Sequence, residues 1–192
     1  MRAEEKRALR RQVRQRFPGD ESRRGQSEAI CAHLLQWDAF LRAGTIALYT
    51  PLAWEADLTP LLEAALAGGK RVCLPLIEGK TEISLRRVTG LNELRPDPSY
   101  GISEPPKDSP RILPRDTDLI MVPLDAADPE GYRLGKGGGF YDRLLASDRH
   151  GLTCGAVLTH QWVQAVPRDS WDQPLDWLCS PAGLICPGRI RE

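Results

Sequence analysis

A run of glycines beside two basic residues is the part of this chain that best suits phosphate chemistry. The segment Arg133–Asp142 holds four glycines together with Arg133 and Lys136. Glycines remove side chains where a backbone must approach a ligand closely, and successive N–H groups can then converge on phosphate oxygens. The two cations would add charge-assisted hydrogen bonds. The segment therefore predicts a phosphate-binding loop.

The loop matches neither of two widespread nucleotide fingerprints. A P-loop reads G-x-x-x-x-G-K-[ST], but Gly137 follows Gly135-Lys136 and position 130 is Glu. The dinucleotide pattern G-x-G-x-x-G also fails, because Phe140 stands where its third glycine would be. From the residues alone, a flexible glycine turn with a solvated Arg and Lys stays open as an alternative.

Two further groups could assist a phosphate ligand. Asp142 lies one turn into the helix predicted after the loop, where a carboxylate could hold a magnesium ion that also touches phosphate. In the first predicted helix, Lys6, Arg10 and Arg14 follow one another at four-residue spacing and share one face. A solvated basic helix face is the alternative for this stripe.

The elements that must position these residues alternate between helical and strand patterns. Helices are predicted from Glu4 to Phe17, Asp20 to about Leu41, Asp57 to Ala67 and Gly139 to Ala146. Buried strands are predicted at Thr45–Thr50, Arg71–Ile77, Asp118–Leu124 and Thr153–Thr159. Two strands joined by one helix form a βαβ unit, which implies parallel strands. Ile83–Val88 alternates like an edge strand, and residues 89–117 are predicted to be a long surface connection.

The fold class that follows is α/β. We expect a single three-layer domain over residues 1–192, with a mostly parallel sheet flanked by helices. A helical N-terminal segment, residues 1–43, is expected to contribute to the nucleotide site. The glycine loop follows the strand Asp118–Leu124, and ligands of open α/β sheets bind beyond the carboxyl ends of strands.

Composition limits the partners and the compartment. The net charge is zero, so no overall field would recruit nucleic acid. No apolar run is long enough to cross a bilayer, and the first residues lack the apolar core of a signal peptide. The five cysteines form no C-x-x-C pair and are expected to be reduced thiols. We expect a cytoplasmic monomer with no nucleic-acid or membrane partner.

The segment Arg133–Arg143, R-L-G-K-G-G-G-F-Y-D-R, closely resembles the R-L-G-[YR]-G-x-G-Y-Y-D-R signature of 5-formyltetrahydrofolate cyclo-ligases. Val122-Pro123, Asp128 and Gly131 lie at the spacing that this family shows before the signature. Further segments resemble family motifs in the same order along the chain: Lys6–Arg10, Tyr49–Asp57, Gly69–Pro75, Gly101–Pro105 and Val166–Asp176. The ordered set spans nearly the whole chain and is highly specific.

The resemblance implies a reaction that consumes 5-formyltetrahydrofolate and ATP, with magnesium. Transfer of the γ-phosphoryl group to the formyl oxygen would turn a poor electrophile into an imidate phosphate. N10 of the folate would then attack the same carbon, closing the ring and releasing phosphate. The products would be 5,10-methenyltetrahydrofolate, ADP and phosphate. Such enzymes work by positioning and charge neutralisation, which suits a sequence with no obvious nucleophile–base pair.

The resemblance also implies a role for each matching residue. ATP would be bound by Lys6, Arg10, Arg133, Leu134, Gly135, Lys136, Gly137, Gly138, Gly139, Phe140 and Tyr141. The folate would contact Thr50, Glu55, Lys136, Gly137, Gly138, Gly139 and Phe140. Arg133 and Lys136 would be catalytic, and Asp142 and Asp172 would hold magnesium. Without the resemblance, Glu55 would be a helix N-terminal acid and Asp172 a turn residue before Pro174.

The chain departs from the family pattern at four places. Lys136 replaces a Tyr or Arg, Phe140 replaces a frequent Tyr, Ala127 stands where Phe is usual, and Cys179-Ser180-Pro181 replaces a common Thr-Glu. We expect altered folate affinity with the reaction retained. Two alternatives remain: an ATP-dependent phosphotransferase of the same fold with another acceptor, and a catalytically inactive binding module.

Overall fold

The computed structural model describes residues 2–97 and 101–188. The helices are α1 Arg2–Gln15, α2 Asp20–Leu35, α3 Asp38–Arg42, α4 Thr59–Ala67 and α5 Phe140–Ala146. The strands are β1 Thr45–Ala47, β2 Arg71–Glu78, β3 Glu82–Val88, β4 Arg95–Asp97, β5 Ile102–Glu104, β6 Arg111–Ile112, β7 Leu119–Val122, β8 Ala126–Ala127, β9 Arg133–Leu134, β10 Leu152–Ala156, β11 Trp177–Ser180 and β12 Gly183–Ile185. Three short 3-10 helices lie at Leu91–Glu93, Pro114–Asp116 and Thr159–Gln161.

An eight-stranded sheet forms the centre of the described chain, in the order β12-β11-β10-β7-β1-β2-β3-β6. Its five inner strands, from β11 to β2, run parallel, whereas β12, β3 and β6 pair antiparallel. Parallel β1 and β2 on either side of α4 confirm the predicted βαβ unit. Two small sheets, β4–β5 and β8–β9, stand apart from the large one.

Alternate residues of the inner strands enter two separate cores. In β7, Leu119 and Met121 pack in one core with residues of α2 and α4, such as Leu34. Ile120 and Val122 pack in the other core, with Leu144 and its neighbours of α5. This period of two is the geometry of a strand buried on both faces. The mostly parallel, three-layer α/β fold is therefore confirmed.

Two sequence predictions about this fold are wrong in detail. The helix predicted from Asp20 to Leu41 stops at Leu35, because Trp37 adopts an extended conformation before α3 and its ring packs against Trp177. Leu41, at the end of the predicted helix, is 56% exposed. The strand predicted at the sheet edge, β3, has β6 on its outer side, so part of the connection predicted at 89–117 is sheet.

Helix α1 packs away from the large sheet and sits on the small sheet β8–β9. Its one buried residue, Val13, belongs to a cluster with Ala126, Leu134 and Val166. Because Leu134 opens the glycine segment, this contact places the basic face of α1 beside that segment. Within the described residues, no helix combines the length and the apolar character needed to cross a membrane.

The five cysteines are free thiols, and only Cys186 is partly exposed. Burial raises the pKa of Cys31 to about 11 and that of Cys73 and Cys179 to about 12. It also raises the pKa of Cys154 far above its ordinary value. These four side chains therefore pack as small neutral groups in the cores.

Candidate active site

A cleft of about 1110 Å³ opens at the carboxyl ends of the parallel strands. Its walls come from α1, from the segment after β1, from the β2–β3 hairpin and from the glycine loop. All the residues predicted from the sequence to bind ATP, folate or magnesium line this cleft: Lys6, Arg10, Thr50, Glu55, Arg133, Leu134, Gly135, Lys136, Gly137, Gly138, Gly139, Phe140, Tyr141, Asp142 and Asp172. The fold thus gathers residues from four distant parts of the chain.

The glycine loop needs its glycines at two positions. Gly137 and Gly139 have φ angles of 97° and 65°, a region that side chains disfavour. A Cβ atom on Gly137 would also lie 3.3 Å from the Arg10 guanidinium. Arg10 donates through Nε to the carbonyl of Gly135 at 2.7 Å, so α1 is joined directly to the loop.

Arg133 lies almost entirely inside the protein at the start of this loop. Its guanidinium donates to the carbonyl of Gln173 at 2.9 Å and to Oδ1 of Asp142 at 2.7 Å. Within residues 2–97 and 101–188, its buried Nε has no hydrogen-bond partner. A buried donor without a partner is costly, so this guanidinium retains capacity for a further acceptor.

Lys6 is held by two carboxylates at the opposite end of the chain. Its ammonium donates to Asp169 at 2.9 Å and to Asp172 at 2.6 Å. Burial would lower the Lys6 pKa, but the bonds to Asp172 and Asp169 raise it above its ordinary value. Arg2 also contacts Asp169, at 3.3 Å. The N-terminal helix is therefore tied to the C-terminal part of the chain by charge.

Glu55 is a buried carboxylate at the end of the segment that follows β1. Its Oε2 accepts from the backbone N–H of Leu52 at 2.8 Å, and its Oε1 lies 2.7 Å from the Lys136 ammonium. Helix α4 begins only at Thr59, so Glu55 does not lie in its first turn. Thr50 donates to the carbonyl of Ser103 at 2.8 Å, which fixes its place in the cleft wall.

One wall of the cleft is apolar and aromatic. It is formed by Tyr49, Leu52, Pro75, Ile77, Ile83, Ile102 and Pro123. Burial raises the pKa of Tyr49 and of Tyr141 well above the usual value, so both hydroxyls stay protonated at neutral pH. This surface suits a flat ring system. Ala127, the position where Phe was expected, is fully buried in a core and does not line the cleft that the described residues form.

Sequence reasoning missed three side chains near the predicted site. Asp125 follows β7 and is fully buried; it accepts from Trp54 Nε1 at 3.1 Å, from Lys136, and from Arg14 at 3.4 Å. Trp171, 65% exposed, lines the cleft between Asp169 and Asp172. The position of Asp125 at a strand end was a usable signal, whereas nothing in the sequence marked Trp54 or Trp171.

The two predicted magnesium ligands each bond a cation through one oxygen. Asp142 pairs with Arg133 and Asp172 pairs with Lys6. In the described part of the chain, no group of three or more His, Cys, Asp or Glu side chains is arranged to hold a metal ion. Magnesium is usually bound by one or two carboxylates together with substrate phosphates. Two separate carboxylates facing one cleft fit that mode.

Comparison with known proteins gives a consistent result. The family model for the 5-formyltetrahydrofolate cyclo-ligase family matches residues 2–181. The 5-formyltetrahydrofolate cyclo-ligase of Escherichia coli K12 is 31% identical over 91% of this chain and 97% of its own. That of Mycolicibacterium smegmatis is 35% identical over 83% of this chain and 84% of its own. The NMR structure of Aquifex aeolicus 5,10-methenyltetrahydrofolate synthetase is 39% identical, with a TM-score of 0.82 over 97% of this chain and 95% of that one.

Proposed function

The chain belongs to the 5-formyltetrahydrofolate cyclo-ligase family, and we propose that its cleft uses ATP and magnesium to convert 5-formyltetrahydrofolate into 5,10-methenyltetrahydrofolate. The observation that supports this most directly is the convergence of two unlike sets of residues on Lys136. Cations of α1 and the glycine loop form one set, and Glu55 with the apolar wall forms the other. Lys136 belongs to the loop and contacts Glu55.

The nucleotide half is proposed to be the basic wall. Lys6, Arg10 and Arg133 all face the cleft, and their positions suit contacts to the ATP phosphates. Arg133 supports this most strongly, because its buried Nε lacks a partner within the described residues. The loop backbone from Gly135 to Gly139 adds N–H groups that can approach phosphate without side chains in the way.

The folate half is proposed to lie between Glu55 and the apolar wall. A pterin edge offers adjacent N–H donors, which an ionised carboxylate accepts well. The isoleucines at 77, 83 and 102 line the same cleft and suit the faces of the ring. Thr50 and the backbone from Gly137 to Phe140 complete the proposed contacts. Glu55 is already oriented by the N–H of Leu52, so less entropy is lost on binding.

Magnesium, when bound with ATP, would neutralise charge on the phosphates and orient them for transfer. Asp142 and Asp172 are the residues proposed to hold it. Both carboxylates are paired with cations that we assign to phosphate, Arg133 and Lys6. Each pair therefore carries one group for the metal and one for the nucleotide.

In the proposed reaction the protein positions and neutralises but forms no covalent bond. The formyl oxygen receives the γ-phosphoryl group as ADP leaves, N10 attacks the formyl carbon, and phosphate departs with the N10 proton as the ring closes. Arg133 and Lys136, the proposed catalytic residues, would face the charge that develops on the transferred group. Cations fixed in a water-poor cleft stabilise such charge without reorganising. The burial of Arg133 satisfies this requirement.

Absorbance of the methenyl product tests the function. The purified protein should convert 5-formyltetrahydrofolate only when both ATP and a divalent cation are present, and ATP hydrolysis should require the folate. Full turnover in excess chelator would contradict the metal role. ATP hydrolysis that ignores folate but responds to another acceptor would favour a different phosphotransferase.

We further propose that the whole chain is one domain that acts as a cytoplasmic monomer. A single large sheet runs through the described residues, which supports one domain. Free thiols buried in both cores suit a reducing compartment. Gel filtration and cell fractionation would test the two statements separately.

A further inference from the structure

Asp125 is a buried carboxylate whose cationic partners line the cleft. It follows β7, and its side chain is fully buried. One oxygen accepts from Trp54 and Lys136, and the other lies 3.4 Å from Arg14 and 4.0 Å from Arg10. Burying such a charge among cations is weak support for stability. Stability therefore does not explain why a carboxylate is buried here, and we look for a role in function.

Lys136 stands between two carboxylates, Asp125 and Glu55. Within the described residues, these are the two carboxylates that its ammonium contacts. Glu55 has its other oxygen occupied by the N–H of Leu52. Oε2 of Glu55 is thus hydrogen-bonded, whereas Oε1 faces the Lys136 ammonium in a close ion pair that lacks hydrogen-bond geometry. A ligand that donates N–H groups to Glu55 must compete with Lys136 for Oε1.

We propose that Asp125 is a positioning residue for folate, because it retains the Lys136 ammonium when the substrate takes over Glu55. This rests on the proposed function, in which Glu55 recognises the pterin. With Asp125 present, Lys136 gives up one of two anionic contacts and keeps the other. Without Asp125, withdrawing Lys136 from Glu55 would leave the cation unpaired in the cleft, which is costly.

The contacts of Asp125 also predict different effects on folate binding and on ATP binding. Asp125 also forms ion pairs with Arg14 and Arg10, which belong to the basic face of α1. Removing the Asp125 charge releases both guanidinium groups from an anion, so they remain available to phosphates. Loss of Asp125 should therefore weaken folate binding without weakening ATP binding. A residue with a merely structural role would affect both ligands alike.

The test compares Asp125→Asn with Asp128→Asn by calorimetry, measuring folate without ATP and ATP without folate. Asp128 is a matched control: it is buried three residues away but accepts from the backbone N–H groups of Glu130, Tyr132 and Val166. We expect Asp125→Asn to raise the folate Kd about tenfold, the loss of one charge-assisted contact. The ATP Kd should not rise, and Asp128→Asn should change neither Kd by more than about twofold.

Repeating the comparison in a Lys136→Met protein tests whether Asp125 acts through Lys136. In a Lys136→Met protein, adding Asp125→Asn should change folate affinity less than about twofold, because no ammonium remains to be held. A tenfold effect that persists in this background overturns the proposal. The proposal is also overturned if Asp125→Asn lowers the affinity for ATP alone, or lowers the affinity for both ligands equally. If wild-type protein binds folate but makes no methenyl product, the reaction assignment fails and the positioning role stands.

Lysine NMR answers the question if Asp125→Asn does not fold. The chain has five lysines, so a ¹⁵N-lysine spectrum is sparse, and Lys136 is identified by its loss in Lys136→Met. In wild-type protein, its ammonium signal should shift when 5-formyltetrahydrofolate is added and should still exchange slowly with water. A signal that does not move, or that is lost to fast exchange, overturns the proposal.

Discussion

Carboxylates lie at both edges of the parallel sheet, but they have different partners at the two edges. At the amino edge, Asp118 precedes β7 and accepts from the backbone N–H groups of Gly44 and Thr45, both at 2.8 Å. Asp176 precedes β11 and accepts from the N–H and hydroxyl groups of Thr153, both at 2.8 Å. At the carboxyl edge, Glu55, Asp142 and Asp172 each form an ion pair with a Lys or Arg side chain that lines the cleft.

The two edges differ in whether a ligand can replace the partner of the carboxylate. A backbone N–H is fixed by the fold, so a carboxylate bonded to it holds one strand in place beside another. A cation on a long side chain can leave its carboxylate for a phosphate, and the carboxylate can then receive a metal ion or an N–H donor. The amino edge therefore fixes register, and the carboxyl edge holds charges that a ligand can redistribute.

Arg133→Lys should show the largest contrast between the edges. Lysine keeps the charge but cannot contact Gln173 and Asp142 through a planar fork. We expect kcat to fall about a hundredfold or more, as when a donor to developing charge is lost. At the amino edge, Arg149→Lys changes the partner of Asp176 and should leave kcat within about twofold. Comparable losses in both variants would remove the distinction.

Glu55→Gln should come next and should act on the folate. Gln keeps the shape but replaces an acceptor oxygen with a donor NH2, which would face the donors of a pterin. We expect the folate Kd to rise about ten- to a hundredfold, measured by calorimetry without ATP. Asp176→Asn is the matched change at the amino edge and should lower Tm with folate affinity kept. If Glu55→Gln loses ATP binding instead, the two halves of the cleft are wrongly assigned.

Lys6→Ala and Arg10→Ala should raise the KM for ATP about tenfold each. Both residues lie on the face of α1 that lines the cleft, and each would lose one charge-assisted contact. The KM for folate, measured at saturating ATP, should change less. Arg24→Ala is the control variant, because Arg24 lies outside the residues that line the cleft. An ATP KM that is unchanged in both α1 variants would make this helix face a solvated one.

Asp142→Asn should raise the magnesium concentration needed for half-maximal activity several-fold. Its carboxylate is partly exposed, so Tm should change little. Asp118→Asn should do the reverse, lowering the free energy of unfolding by about 1 kcal/mol with the magnesium requirement unchanged. Activity titrated with magnesium and urea unfolding measure the two effects. A collapse of Tm in Asp142→Asn with normal magnesium dependence would make that residue structural.

The smallest expected effect is a loosening of α1 in acid. The hydrogen bond from Lys6, followed by the charges of Lys6 and Arg2, lowers the pKa of Asp169 despite some desolvation. A depressed folded pKa contributes stability above the unfolded value, about 3.9, and this is lost as pH falls through the folded value. Proteolysis of the N-terminal segment should therefore increase below about pH 4. Asp169→Asn should abolish that dependence on pH.

The sequence predicted the layers of the fold because they depend on local patterns. Strands such as β7 are short apolar runs, and α4 sits between two of them. The break between α2 and α3 was missed because Trp37 is placed by Trp177, far away in the chain. The helical period continues through Gln36, so nothing local marks the turn. Contacts of this kind appear only when the chain is folded.

The candidate site shows the same limit. Its glycine loop and basic stripe are contiguous or regularly spaced, so their types and spacing pointed to phosphate. Asp125 was missed because a lone acid after a strand has many uses. Its meaning comes from Trp54 and Lys136, whose side chains approach it only in three dimensions. The partners, and not the residue type, distinguish it from Asp128.

The distribution of thiols also makes this protein convenient to label. Four cysteines are buried with raised pKa values, so they expose neither surface nor thiolate to an electrophile at neutral pH. Cys186 is partly exposed and lies outside the residues that line the cleft. A maleimide dye should therefore attach once to the native protein, without any engineered substitution.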